Sequence, residues 1–295
     1  MKIAIYGHYF NEDAIQYVED LLDALHEKNA EIYIESNFLK LIQLHTSIKE
    51  EYPTFNNHND LDTSFNFFFT LGGDGTILRS ITYIRDSNIP VIGVNIGRLG
   101  FLATVQKEKI KEAVSALHNN EFEIKQRSLL TVNTKPENTK IDYLPYALNE
   151  ITVSRKDTAA MITVETYLNG EYLTSYWADG LIIATPTGST GYSLSCGGPV
   201  ITPQAKSFAI TPVAPHNLNA RPLIIPDDTH IRMRIVGREN DCSLSLDSRI
   251  ETIEKGTEIY VEKAPFNLKM IELTGNSFIQ TIRKKLLWGE DTRNK

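Results

Sequence analysis

At 295 residues, 41% hydrophobic and 23% charged, the chain has the composition of an ordinary soluble globular protein and the length for two compact units. A net charge of -7 argues against a general binder of nucleic acid or anionic membrane, which needs a basic surface to neutralise phosphates, so neither partner is expected. Two cysteines, Cys196 and Cys242, are too few for a disulfide framework or a four-cysteine metal site, and no apolar run is long enough for a leader or a membrane span; the expected location is cytoplasmic.

In chain order, residues 2–7 (KIAIYG) predict a buried strand ending in glycine. Ile15, Val18, Leu21, Leu22 and Leu25 recur at helical spacing over 12–28, and 31–34 predict the next strand. This β-α-β start is the entry to an open α/β domain. Residues 38–64 turn polar and predict a helix followed by a surface loop in which His58 is a solvated side chain rather than a metal ligand.

Phe67, Phe68, Phe69 and Leu71 predict a strand buried on both faces, and Thr76, Ile77, Leu78, Ile81 and Ile84 predict a helix right behind it. Between them stands Gly72-Gly73-Asp74-Gly75-Thr76. A glycine turn from strand to helix presents backbone N–H groups at a helix N-terminus, which suits phosphate, and lets a ligand approach the main chain. Asp74 adds a carboxylate that can take a proton from a hydroxyl or help hold a metal; GGDG alone could also be only a tight turn. Residues 89–95 predict another buried strand, and the glycine-bearing loop 96–102 after it should lie beside the first, because loops at the C-terminal ends of neighbouring parallel strands converge. In that loop Arg98 is either a phosphate partner or an exposed side chain. A helix over 107–119 closes this part.

Beyond it come short alternating runs at 129–133, 147–154, 161–168, 172–177, 181–185, 208–213, 230–236, 242–247, 258–261 and 268–271, with a hairpin signal at Asn169-Gly170. They predict an all-β second domain, followed by a helix over 277–287. Asn149-Glu150 taken alone is a surface turn or a pair able to offer an amide to a purine edge and a carboxylate to ribose hydroxyls, and residues 185–195 (TPTGSTGYSLS) combine backbone amides and hydroxyls with the aromatic plane of Tyr192.

Five segments, in the same order, resemble the NAD kinase family: the GGDGT turn; Asn149-Glu150; Asp179-Gly180-Leu181; residues 185–195 running on to Gly197-Gly198-Pro199; and Pro215-His216 with Arg221-Pro222. The loop 95–102 is similar to the family's NxGxLGFL pattern. The resemblance implies an N-terminal open Rossmann-like α/β domain (1–120, with 276–295 folding back onto it), a C-terminal β-sandwich-like domain (121–275) and a site between them. It implies phosphoryl transfer from ATP, or polyphosphate, to the 2′-hydroxyl of the adenosine ribose of NAD, with Mg²⁺ carried by the donor. Asp74 is then the catalytic base or hydroxyl-orienting group, and Gly72, Gly73, Gly75, Thr76 and Arg79 form the phosphate loop. The implied NAD contacts are Asp74, Gly75, Asn149, Glu150 and Asp179, the run Thr190, Gly191, Tyr192, Ser193, Leu194 and Ser195, and further on Ala214 and Arg249. Relatives form homodimers or homotetramers, so a homo-oligomer is expected, and His216 is expected to be mainly structural.

The chain departs from the family at Gly191, usually alanine; at Trp177, commonly arginine or lysine; at Ala160, commonly histidine or arginine; and at Asp247-Ser248-Arg249, usually aspartate-glycine-glutamine. Arg155, Lys156 or Arg249 could restore the lost positive charge, Arg249 by pairing with a phosphate. A lipid kinase with the same glycine turn and a non-catalytic dinucleotide sensor remain as alternatives.

Overall fold

The computed structural model describes residues 1–8, 14–46, 48, 50–97, 100–156, 160–237, 240–275 and 277–288. The chain divides into two compact units, 1–126 with 268–295 and 127–267. The divisions lie some residues from 120/121 and 275/276 because the strands Phe122–Lys135 and Glu258–Leu273 run through them, so no loop marks either.

The first unit is built on a parallel sheet in the order Thr54–Phe55, Glu31–Glu35, Lys2–Gly7, Phe67–Gly72, Val91–Asn95 and the end of Glu258–Leu273, which joins through Met270 opposite Val91. Ile3, Ile5, Phe67, Phe69, Ile92 and Val94 pack with Val18, Leu21, Leu22 and Leu25 of the helix Ile15–His26 and with Val114 and Leu117 of Ile110–His118. On the alternate positions Tyr6 and Phe68 meet Phe55 and Tyr83, the latter from the helix Asp74–Ile84. Both sheet faces are therefore covered, as the unbroken apolar run at 67–69 requires. The polar stretch after the helix Ser36–His45 is more ordered than a bare surface loop. Thr54–Phe55 adds an edge strand whose Phe55 is fully buried, and Asn57 caps a single turn, His58–Asp60. His58 lies 3.1 Å from an Arg85 guanidinium nitrogen rather than in open solvent. The C-terminal helix Phe278–Leu286, capped by Ser277, does return to this unit: Ile282 is buried, and Gln280, Thr281 and Lys284 share a groove with Thr104–Gln106.

The second unit is a two-sheet sandwich. One antiparallel sheet runs in the order Leu223–Pro226, Ser207–Val213, Gly180–Ala184, Glu150–Arg155, Asp241–Leu246, Arg249–Glu254. The other sets Glu171–Ala178 beside Ile162–Leu168, Ile231–Val236 and the start of Glu258–Leu273. Val153, Leu181, Ile183, Ile210 and Leu244 of the first face Val164, Met233, Ile235, Ile259 and Val261 of the second in one apolar core. Asn169 and Gly170 both have positive φ (50° and 85°), so the hairpin turn forms where the dipeptide predicts it.

Candidate active site

In the first unit the chain runs from Lys2–Gly7 outward to Glu31–Glu35 and Thr54–Phe55, then returns to lay Phe67–Gly72 on the opposite side of the first strand. That reversal is the position where open α/β sheets leave a crevice beyond their carboxyl ends. The GGDG turn stands there. Gly72 has φ 154°, and a Cβ on it would lie 2.0 Å from Thr76 Oγ1, so the fold itself demands glycine. Gly73 and Gly75 are different: each is exposed, neither has positive φ, and a Cβ on either would meet nothing within 4 Å. Among the described residues nothing packs where those two side chains would stand, an opening that suits a ligand lying against the backbone. Gly73 caps the helix Asp74–Ile84, Thr76 is buried in its first turn, and Arg79 is exposed on its second.

Asp74 is gripped by the second loop. Its Oδ2 accepts from the Phe101 N–H at 2.7 Å, and its Oδ1 from the Leu102 and Ala103 N–H groups at 2.9 Å each. The predicted convergence of the two loops is thus made by hydrogen bonds to the key carboxylate. Gly100 permits it, since a Cβ there would sit 1.9 Å from Asp74 Oδ1. Arg98 and Leu99 lie outside the described residues.

In the second unit Asp247, at φ 53° in the two-residue turn between Asp241–Leu246 and Arg249–Glu254, does the same for the Asn149-Glu150 motif. Its Oδ2 accepts from the Leu148 N–H at 2.9 Å, and its Oδ1 from Asn149 at 2.8 Å and Glu150 at 3.1 Å. The side chains of the motif are left with buried acceptors, Asn149 Oδ1 and Glu150 Oε2, that have no hydrogen-bond partner among the described residues. Burial, reinforced by the Asp247 charge, pushes Glu150 up to about 7 against the pull of the Tyr192 backbone N–H, which donates to its carboxylate. Burial also raises Asp247, despite its three amides.

Thr185 Oγ1 donates to the Leu148 carbonyl at 2.6 Å and accepts from the Gly188 N–H at 3.0 Å, tying 185–195 to the motif. A Cβ on Gly188 would lie 2.0 Å from the Asn149 carbonyl oxygen, so glycine is obligatory at this approach. Tyr192 stands exposed at the start of a short helix, within the fields of Asp179 and Glu150, and its hydroxyl is hydrogen-bonded to the Cys196 thiol. Burial raises Cys196, so the thiol lacks the lowered pKa that reactivity needs, and Cys242 is fully buried. Thr190 bonds its own turn through the Thr187 carbonyl, and Ser193 is buried against Thr211 at 2.8 Å; Leu194 is half-buried and Ser195 exposed. A Cβ at Gly191 would come to 3.0 Å from Glu150 Oε2, which gives the absence of alanine here a local reason.

Asp179 pairs with Arg155 Nε at 3.1 Å, so that arginine is already engaged with an acid. Arg249 donates to the carbonyls of Leu144, at 2.6 Å, and Tyr146, which commits both terminal nitrogens to the backbone next to the motif instead of presenting them as an open fork. Trp177 is exposed with its ring 4.5 Å from that of His216, and Ala214, two residues before that histidine, is exposed at φ 43°. Among the described residues no group of three or more histidines, cysteines or acids is placed to hold a metal ion.

Residues 3–122 match the family model of the ATP-NAD kinase N-terminal domain, and residues 148–273 match that of the ATP-NAD kinase C-terminal domain. The chain belongs to the NAD kinase family. The NAD kinase of Christiangramia forsetii is 55% identical over 294 residues and that of Flavobacterium johnsoniae 51% identical over 294 residues, each comparison covering all of both chains. An NAD kinase from Archaeoglobus fulgidus, solved in complex with ATP, matches with a TM-score of 0.72 at 25% identity over 97% of each chain. Yeast NADH kinase, solved with NADH, shares the fold at a TM-score of 0.86 and 24% identity, covering 100% of this chain and 89% of that one. Sequence reasoning gave no role to Asp247, to Gly100 within the loop 96–102, or to Thr185 at the head of 185–195. The only sequence signal for the first was its place in an altered family triplet.

Proposed function

We propose that the chain is an NAD kinase: it transfers the γ-phosphoryl group of ATP to the 2′-hydroxyl of the adenosine ribose of NAD, giving ADP and NADP. The observation that carries this reading is the full-length identity of 55% to a relative named NAD kinase, over a chain that retains the GGDG turn and its aspartate. In the reaction the hydroxyl oxygen bonds to the γ-phosphorus, the bond from that phosphorus to the β–γ bridging oxygen breaks, and the hydroxyl proton leaves. Asp74 is the group to receive or orient that proton. Its Oδ2 accepts one backbone hydrogen bond where its Oδ1 accepts two, so Oδ2 keeps a lone pair, and the amide grip fixes its direction. The open backbone of Gly73 and Gly75 at the helix N-terminus suits the donor phosphates, with Arg79 one turn further along the same helix. Mg²⁺ enters as part of the substrate, bridging phosphate oxygens and neutralising the charge of the triphosphate. Asn149 Oδ1 and Glu150 Oε2 need hydrogen-bond donors, which the adenine amine and ribose hydroxyls of NAD supply, while the exposed Tyr192 ring offers a stacking plane.

The finer reading is a cytoplasmic homo-oligomer. Two uncrosslinked cysteines suit a reducing compartment, and among the described residues no helix is long and apolar enough to cross a membrane. Tyr172 and Trp177 stand exposed on the edge strand Glu171–Ala178, an arrangement that favours pairing with another copy. Light scattering on the purified protein tests this, and a monomer would refute it. The reaction is tested by following NADP formation from NAD, ATP and Mg²⁺ beside Asp74→Asn. Product that the substitution cuts by about 10²–10⁴-fold is the expected result. Tight NAD binding without any product would point instead to a dinucleotide sensor.

A further inference from the structure

Every backbone polar group of Leu148, Asn149 and Glu150 is engaged from two directions. Their three N–H groups donate to the Asp247 carboxylate. Their carbonyls accept, in order, from Thr185 Oγ1 at 2.6 Å, the Thr185 N–H at 2.9 Å and the Asp247 N–H at 3.0 Å. A segment so completely satisfied has no local freedom, since any shift leaves a partly buried donor or acceptor unpaired. The side chains of Asn149 and Glu150 are the reverse: each holds a buried oxygen without a partner among the described residues. The main chain is locked beneath two side chains that each keep an unsatisfied acceptor.

We propose that Asp247 is a positioning residue for the acceptor substrate, fixing Asn149 and Glu150 through its grip on three consecutive amides so that they meet the hydrogen-bond donors of NAD. This rests on the NAD kinase reading, in which both side chains contact NAD. Both Asp247 carboxylate oxygens are engaged by those backbone amides, so its effect runs through the segment it holds. Its φ of 53° is one that aspartate and asparagine tolerate and most residues do not, so asparagine is the conservative replacement. Asp247→Asn keeps Oδ1 but sets an amide N–H against one backbone N–H, which breaks the grip without changing the shape.

The test compares wild type and Asp247→Asn by steady-state kinetics in NAD and ATP, with NAD affinity measured directly by calorimetry. The KM and Kd for NAD should rise about tenfold or more, in line with the cost of small misplacements of binding groups, while the KM for ATP stays within about twofold. Unchanged NAD constants, or NAD and ATP constants that rise together as in a general loosening, would overturn the proposal. If the wild type makes no NADP, the kinase reading fails first, and the NAD affinities of the two proteins still decide the role of Asp247. Should Asp247→Asn fail to fold, Thr185→Val frees the same segment from its carbonyl side and must show the same split between NAD and ATP.

Discussion

Asp74 and Asp247 grip the backbone in the same way, each with Oδ2 on the first of three consecutive amides and Oδ1 on the second and third. Their settings differ. Asp74 begins an eleven-residue helix between two exposed glycines, whereas Asp247 occupies a hairpin corner beside a second carboxylate, Glu150. The first is a carboxylate at a helix N-terminus with an exposed glycine on either side. The second is an acid whose neighbour burial and repulsion have brought close to neutrality. The comparison teaches that a hydrogen-bond motif alone does not define a chemical role; the neighbours decide whether the gripped carboxylate acts on a ligand or on the chain.

The sharpest way to break this comparison is Gly100→Ala. A methyl group 1.9 Å from Asp74 Oδ1 forces the grip open, and turnover should fall about a hundredfold while the NAD affinity of the second unit is retained. Loss of NAD binding in the same proportion would mean that the grip serves general folding.

Next in size is the pH response of Glu150→Gln. The folded value of about 7 lies above the ordinary carboxylate value near 4.3, so the native state binds the extra proton. Glu150 therefore contributes stability that is complete below about pH 4.3 and is lost as pH rises through 7. Between pH 5 and pH 8 the glutamine variant should gain roughly 2–3 kcal/mol relative to wild type, read from urea unfolding at both values. Parallel pH curves would show that Asp247 and burial do not act on Glu150 as the geometry indicates.

The smallest effects separate glycines that fold the turn from those that serve a ligand. Gly72→Ala, at φ 154° and against Thr76, should cost about 1–3 kcal/mol in thermal or urea unfolding. Gly73→Ala should change stability by less than about 0.5 kcal/mol yet raise the KM for ATP several-fold. A Gly73→Ala enzyme with unaltered ATP kinetics would remove the phosphate role of that backbone.

The Asp74 turn was legible because its information is local: an aromatic strand, a glycine turn and a helical repeat follow one another within residues 67–84. Even its partner loop lies only 27 to 29 residues on, at the end of the next strand, where the sheet rule places it. The Asp247 grip bridges 97 to 99 residues, and no spacing rule predicts which hairpin corner will meet which strand. Arg249 illustrates the same limit. Its charge is visible in the sequence and suggests a phosphate partner, but the backbone carbonyls that occupy it are not visible. Two missed strands of the second unit are edge strands with atypical residues: Leu223–Pro226 ends in proline, and Arg249–Glu254 carries three charges and an exposed Ile250. Residues 258–261 and 268–271, read as two runs around Pro265, are one strand, Glu258–Leu273, in which that proline is exposed.

The first unit is not contiguous in the chain: its strand segment at Met270 and its last helix are encoded after the whole of the second unit. On the ribosome the edge of Val91–Asn95 that receives Met270 stays without that partner until the whole of the second unit, residues 127–267, has been made. The sandwich, by contrast, is complete in sequence before residue 268 emerges. Biosynthesis therefore supplies the last strand segment and helix of the glycine-turn unit only after the whole sandwich has been made.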